Sequence, residues 1–294
     1  MKRLYFALML LCIALGANAQ LLWKISGNGL SKPSYVFGTH HLAPISIVEE
    51  VKGFNEAMNG VDQLYGEIVM SEMNQPESVR KVQQTIAMPE GTTLHTLYSS
   101  AQYDSLAVVV KNLMGADLAV LDKMKPSFIS SQLALLLAMK TVKGFNPQVQ
   151  LDAWLQIEAG KKGKKVGGLE TMDFQMKTLF CSQPLERQAE QLYYSFSNLE
   201  FMEAQTQQLT DAYMQQKLGD VKKVMDIKAG NAADALPEEE DVMIYNRNSN
   251  WAVIMPLIMK GASTMFVVGV GHLPGERGLL NLLKQQGYSI EAVK

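Results

Sequence analysis

Two short stretches near opposite ends of the chain share one pattern, and together they restrict the fold more than anything else in it. Tyr35-Val36-Phe37-Gly38-Thr39-His40-His41 and Met265-Phe266-Val267-Val268-Gly269-Val270-Gly271-His272 are each an apolar run that stops at a glycine, with a histidine three residues on. A short apolar run bounded by glycine reads as a buried strand. In open α/β sheets, ligands bind beyond the carboxyl ends of the strands. The turn glycines Gly38, Gly269 and Gly271 would permit positive φ and close backbone approach there. The expectation is that the two strand ends meet and form one site. Of the four histidines in the chain, His40, His41 and His272 lie in these two stretches. Imidazole is suited to proton transfer near neutral pH and to metal binding. A single Gly-x-x-His is more often a packed or capping histidine, so the matched pair carries the reading.

The 294 residues carry a formal charge of −2 and are 47% hydrophobic and 19% charged. That suits a globular chain and gives no reason to expect nucleic acid, since no basic run tracks a phosphate backbone. Residues 1–19 read as a cleavable signal peptide: Lys2-Arg3, an apolar run from Leu4 to Leu15, then Ala17-Asn18-Ala19. The run is too short to span a bilayer comfortably, and Leu11 before Cys12 does not suit a lipid anchor. Export to a periplasm or beyond, with no stable membrane anchor, is therefore expected. Residues 20–294 are expected to form one α/β domain. Cys181, left alone after cleavage, reads as a small buried apolar side chain.

Along the chain, residues 21–25 and 34–37 suggest a hairpin, followed by a helix over 45–59 and a strand over 61–68 that carries Glu67 near its end. That order predicts a parallel pair of strands with a crossover helix. The middle reads as mostly helical, interrupted by a short strand, 165–170, ending in Glu170. One helix is expected over 238–260, carrying Arg247, Asn248 and Trp251. The second motif strand, a helix over 275–286 and a closing strand over 288–293 finish the chain. The fold expected is a mixed central sheet with Gly-x-x-His strands at both ends of the sequence and a large helical insert.

Two histidines and a carboxylate at strand ends suit two mechanisms. In one, His41, His272 and Glu67 hold a divalent metal that lowers the pKa of bound water. In the other, a His–Glu pair deprotonates water, while a second His or Arg247 stabilises the oxyanion. Glu170 would be a further base or orienter, although a carboxylate before a helix commonly caps it. Arg247 would otherwise hold a structural carboxylate such as Glu170 or Asp152. His40 would be an additional ligand or a bystander. His95 and the tryptophans at 23, 154 and 251 read as packing or surface. No G-x-S-x-G, H-E-x-x-H, Walker or dinucleotide-binding motif is present.

Taken together, several pieces resemble the TraB/GumN family, which includes the membrane-tethered Tiki metalloproteases. They are Phe37-Gly38-Thr39-His40-His41, Glu67, Gly167 to Thr171 with Gln175, Arg247-Asn248 with Trp251, and Val268 to Gly275. The resemblance implies an α/β fold like that of the erythromycin esterase and ChaN group. It implies His41 and His272 as paired site histidines, Glu67 as their acidic partner, and Arg247 and Asn248 as further site residues. It also implies dependence on a divalent metal, Mn or Co foremost and Zn next, and a peptide or small-molecule substrate. The expected activity is that of an exported metal-dependent hydrolase of peptidase type. The alternatives are a metal-free, esterase-like hydrolase and a binding protein that sequesters a peptide or small ligand.

Overall fold

A computed structural model describes residues 20–231 and 233–294; the expected signal peptide lies outside the described residues. Among the described residues, six strands form one mixed sheet: β1 (Leu22–Gly27), β2 (Ser34–Thr39), β3 (Gln63–Gly66), β4 (Lys165–Gly168), β5 (Thr264–Gly269) and β6 (Tyr288–Ala292). Their spatial order is β4-β3-β5-β2-β1-β6. The two motif strands are direct neighbours: β2 and β5 run parallel, with Gly38 opposite Val268 and Thr39 opposite Gly269. β3 is parallel to β5 and to β4, so four carboxyl ends open on the same edge. β1 makes the expected hairpin with β2, antiparallel, through Gly27, Asn28 and Gly29, all at positive φ. β6 closes the far edge against β1.

Two expectations for the first strands and helices need correction. β2 and β3 are parallel but do not touch, because β5, from the far end of the chain, lies between them. The helix expected over 45–59 is two short ones, α1 (Ile47–Glu50) and α2 (Phe54–Gly60), separated at Gly53, whose φ of 71° no continuous helix can take. Both still bury one apolar face, with Ile47, Val48, Phe54, Ala57 and Met58 turned to the sheet core.

The helical middle is divided by β4. Before it come α3 (Pro76–Ile86), α4 (Leu94–Leu97), α5 (Ser100–Met114), α6 (Pro126–Thr141) and α7 (Leu151–Lys161). After it come α8 (Met172–Cys181), α9 (Leu185–Ser197), α10 (Leu199–Met214), α11 (Leu218–Met225), α12 (Pro237–Glu240) and α13 (Asn246–Gly261). Residues Asp241–Tyr245 between α12 and α13 form a π-helical segment, so the run expected as one helix over 238–260 changes winding just before Arg247. α14 (Leu279–Gln285) precedes β6 and starts later than expected, after a turn over 275–278.

Apolar packing falls into three clusters. The largest surrounds the sheet, with Phe37, Phe266 and Trp251 among its buried members. A second joins α4, α5, α6 and α9 away from the sheet through Leu94, Leu106, Leu133 and Leu192. A third, small one holds Ile68, Ile86, Met172, Met176 and Phe180 between the helices and the open strand ends. Cys181 is exposed rather than buried; its position at the end of α8 points Sγ outward, where Lys125 Nζ donates to it at 2.9 Å. Among the described residues no helix is long and apolar enough to cross a membrane.

Candidate active site

The four parallel strand ends place the predicted residues together. His41 lies two residues beyond β2, Glu67 one beyond β3, Glu170 two beyond β4 and His272 three beyond β5. None of the three motif glycines has positive φ. At Gly38 and Gly269 the constraint is close approach. A Cβ on Gly38 would sit 3.2 Å from the Val270 backbone and 2.8 Å from Leu273, so the 3-10 turn Val270–His272 could not rest on β2. A Cβ on Gly269 would sit 3.2 Å from Glu67 Oε1, which accepts the Gly269 N–H at 2.7 Å.

Arg247 is the hub, and all five of its N–H groups are engaged. Nε and Nη2 donate to Glu170 Oε2 and Oε1 at 3.1 and 2.7 Å, and Nη2 also donates to Glu67 Oε2 at 2.6 Å. Nη1 donates to Met243 O at 3.0 Å, in the π-helical turn, and faces His272 Nε2 at 3.2 Å. The guanidinium also stacks 4.7 Å from the Trp251 ring. With no donor left over, Arg247 fixes the carboxylates and His272, and does not have the free N–H an oxyanion would need. The alternative expectation, that it holds Glu170, is met; Asp152 is engaged elsewhere.

Asn248 settles the state of His272. Its Nδ2 donates to the carbonyls of His272 and Arg277, so its Oδ1 accepts from His272 Nδ1 at 2.7 Å. The Nε2 lone pair then faces Arg247. Burial pushes the His272 pKa down to about 4; Glu67 opposes this, and the Arg247 and His41 charges reinforce it. His272 is therefore neutral near pH 7. Glu67 would be raised by burial alone, but His272, Arg247, His41 and the Gly269 N–H together hold its carboxyl below the usual range. Gln175 Nε2 adds a donor to Glu67 Oε2 at 2.7 Å. Glu170 is raised, by burial first, against its bonds to Arg247 and to Trp251 Nε1.

His41 has a partner that the sequence did not assign to it. Asp152, in the first turn of α7, accepts from His41 Nδ1 at 2.7 Å and from Thr39 Oγ1 at 2.7 Å. The Asp152 charge, against burial, raises the His41 pKa to about 9. The His41 side chain is 59% exposed and lines the cavity. Its Nε2 has no bonding partner among the described residues. His40 is held differently. Thr210 Oγ1 gives its hydrogen to Thr206 O, so it accepts from His40 Nε2–H at 3.2 Å. Burial, then the charge on His41, lowers His40 to about 4.

Asp152, Thr39 and Gln175 complete the site. An acidic residue in the first turn of a helix also complements the helix dipole, so nothing local in the sequence separated Asp152 from an ordinary helix start. His95 lies outside the site, exposed against Tyr103.

The divalent metal implied by the resemblance does not fit these donors as they stand. Among the described residues, no three His, Cys, Asp or Glu side chains converge on one point. His272 Nε2 and Glu67 Oε1 are 3.8 Å apart, but the imidazole lone pair already faces a guanidinium, Glu67 Oε2 accepts two donors, and Oε1 keeps one lone pair beyond its bond from Gly269. The cation at the centre of the site is Arg247. Above it opens a cavity of about 640 Å³, in the range of small-molecule sites.

Histidines, carboxylates and an arginine gathered at the carboxyl ends of parallel strands, under such a cavity, define an α/β protein with a cleft at its strand ends. The chain belongs to the TraB/PrgY/gumN family, whose model it matches over residues 21–292. No curated protein and no solved structure gave a match.

Proposed function

We propose that the protein is a hydrolase in which the His41–Asp152 pair activates water. The observation that carries this reading is the His41 imidazole, tied through Nδ1 to a buried carboxylate, with Nε2 open to the cavity. In its neutral form, His41 Nε2 takes a proton from water as the water oxygen bonds to the substrate's carbonyl carbon. The tetrahedral species collapses, the C–O or C–N bond breaks, and Nε2–H returns the proton to the leaving group. Asp152 holds the ring in one tautomer and stabilises the imidazolium. Glu67 Oε1 keeps a lone pair beyond its bond from Gly269 and orients the attacking water. Arg247, Asn248 and His272 hold Glu67 and the floor of the cavity in place.

A screen of ester and peptide substrates with the mature protein tests this. Wild type turns over at least one of them, and His41→Ala lowers kcat/KM at least a hundredfold, as loss of a general base does. Turnover untouched by His41→Ala would sink the assignment. No turnover of any substrate would favour a sequestering protein.

One observation supports a metal-dependent peptidase as the second reading. A carboxylate bound to Nδ1 is also how metal-binding imidazoles are oriented. In that reading His41, His272 and Glu67 hold Mn, Co or Zn, and Arg247 first has to leave His272. Elemental analysis of wild type beside the His41→Ala/His272→Ala double variant decides it: near-stoichiometric metal lost in the variant supports this reading. Export rests on the leader alone, and the substrate is then met in a periplasm or outside the cell.

A further inference from the structure

We propose that the cavity takes an uncharged ester or amide with a flexible apolar chain, an acyl group of medium length. This rests on the hydrolase reading and names the class of its substrate. The charges at the cavity's floor carry the first part of the argument. Among the described residues, the only cations lining it are Arg247 and His41. Arg247 has all five N–H groups engaged, and His41 is already matched by Asp152. A carboxylate or phosphate entering would find only His41 Nε2, on a ring whose charge Asp152 already balances, to repay its lost hydration. The carboxylates at the floor are engaged as well, Glu67 sharing Arg247 with Glu170 and Asp152 facing His41.

The walls carry the second part. They come from the helical middle of the chain and not from the strands. Met70, Met73, Phe128, Met176, Leu179 and Leu209 line the cavity from different elements, and most of them are half-buried. Met176 belongs to the small third cluster, and four of the others pack against it, so this cluster stops at the cavity wall with one apolar side uncovered. Ser131, Gln132 and Gln150 are the polar exceptions beside the glutamines that bond to floor groups. Thioether and leucine side chains re-pack around a flexible chain at little cost. The chemistry of the floor needs one carbonyl, and the walls offer burial to whatever follows it.

The test is isothermal titration of the mature protein with N-methylalkanamides of increasing length, beside alkanoates of the same lengths. The expected result is a Kd that falls by up to about fourfold per added methylene, with alkanoates weaker than amides at every length. Leu179→Gln and Met73→Gln, checked for fold by circular dichroism, should flatten that slope. A Kd independent of chain length in wild type, or alkanoates binding as tightly as amides, would overturn the proposal. The binding series does not depend on turnover. A steep slope without hydrolysis of the matching p-nitrophenyl esters supports the apolar occupant and removes the hydrolase. Hydrolysis without a slope does the reverse.

Discussion

Replacing Asp152 by Asn isolates the pair on which the chemistry depends. The substitution keeps the size of the side chain and an acceptor for Thr39 Oγ1, but removes the charge facing His41 Nδ1. In wild type, His41 moves from the ordinary 6.5 to about 9, chiefly through Asp152. That difference corresponds to about 3.4 kcal/mol. The ring is 59% exposed to cavity water, and screening leaves ~1–2 kcal/mol of it. The sign follows from linkage. A raised histidine stabilises the fold fully below its unfolded pKa of 6.5 and ceases to as pH rises through about 9. Asp152 is lowered from 3.8, burial working against the His41 charge and the bonds from His41 and Thr39, so its share is present above 3.8 and is lost as pH falls through its folded value. Asp152→Asn should therefore destabilise by ~1–2 kcal/mol near pH 6, and by nothing, or with reversed sign, above pH 9. Urea unfolding of chelator-treated protein at the two pH values measures this, and NMR of the ring protons should show one of the described histidines titrating near 9 only in wild type. A wild-type His41 titrating near its ordinary value, or a mutational loss equal at both pH values, would refute the reasoning.

Other substitutions probe the frame around that pair. Arg247→Met strands Glu67 and Glu170 in a buried site, and should cost about 3–5 kcal/mol in urea unfolding; adding Glu67→Gln should recover part of it, and a loss under 1 kcal/mol would contradict the hub. Gly38→Ala places a methyl against the Val270 backbone and Leu273, and should cost about 1–3 kcal/mol by overpacking while shifting the ring resonances of His272. N-terminal sequencing of protein made with its leader should begin at Gln20; an intact Met1 would contradict the expected cleavage.

What could be read from the sequence, and what could not, divides along physical lines. Strand ends are written locally, as apolar runs closed by glycine, so Gly38/His41 and Gly269/His272 were placed on one edge without a structure. Glu67 followed, since a strand parallel to β2 exposes the same end; Glu170 was legible only as the end of a short strand, whose pairing with β3 came from the structure. Neighbour order was not legible: β5 inserts between β2 and β3, and no local pattern tells a strand which distant partner will cover it. The break at Gly53 was hidden because the apolar spacing on either side continues as if the helix did. Of the two reasons expected for the motif glycines, close approach holds at Gly38 and Gly269 and positive φ at none of the three. The largest omission was Asp152. It sits 111 residues from His41, and the chemistry of the site changes when the imidazole is paired with that carboxylate instead of with Glu67. The role of Arg247 likewise needed its full set of partners before it could be read as a brace.

The most direct test of the central claim is the pH dependence of kcat/KM for an ester substrate, with protein freed of metal by chelation. Water activation by His41 predicts retained activity that rises about tenfold per pH unit and levels off near 9. Activity abolished by chelation, and restored by Mn, Co or Zn with a plateau already reached near neutral pH, would contradict it and make the metal the source of the nucleophile.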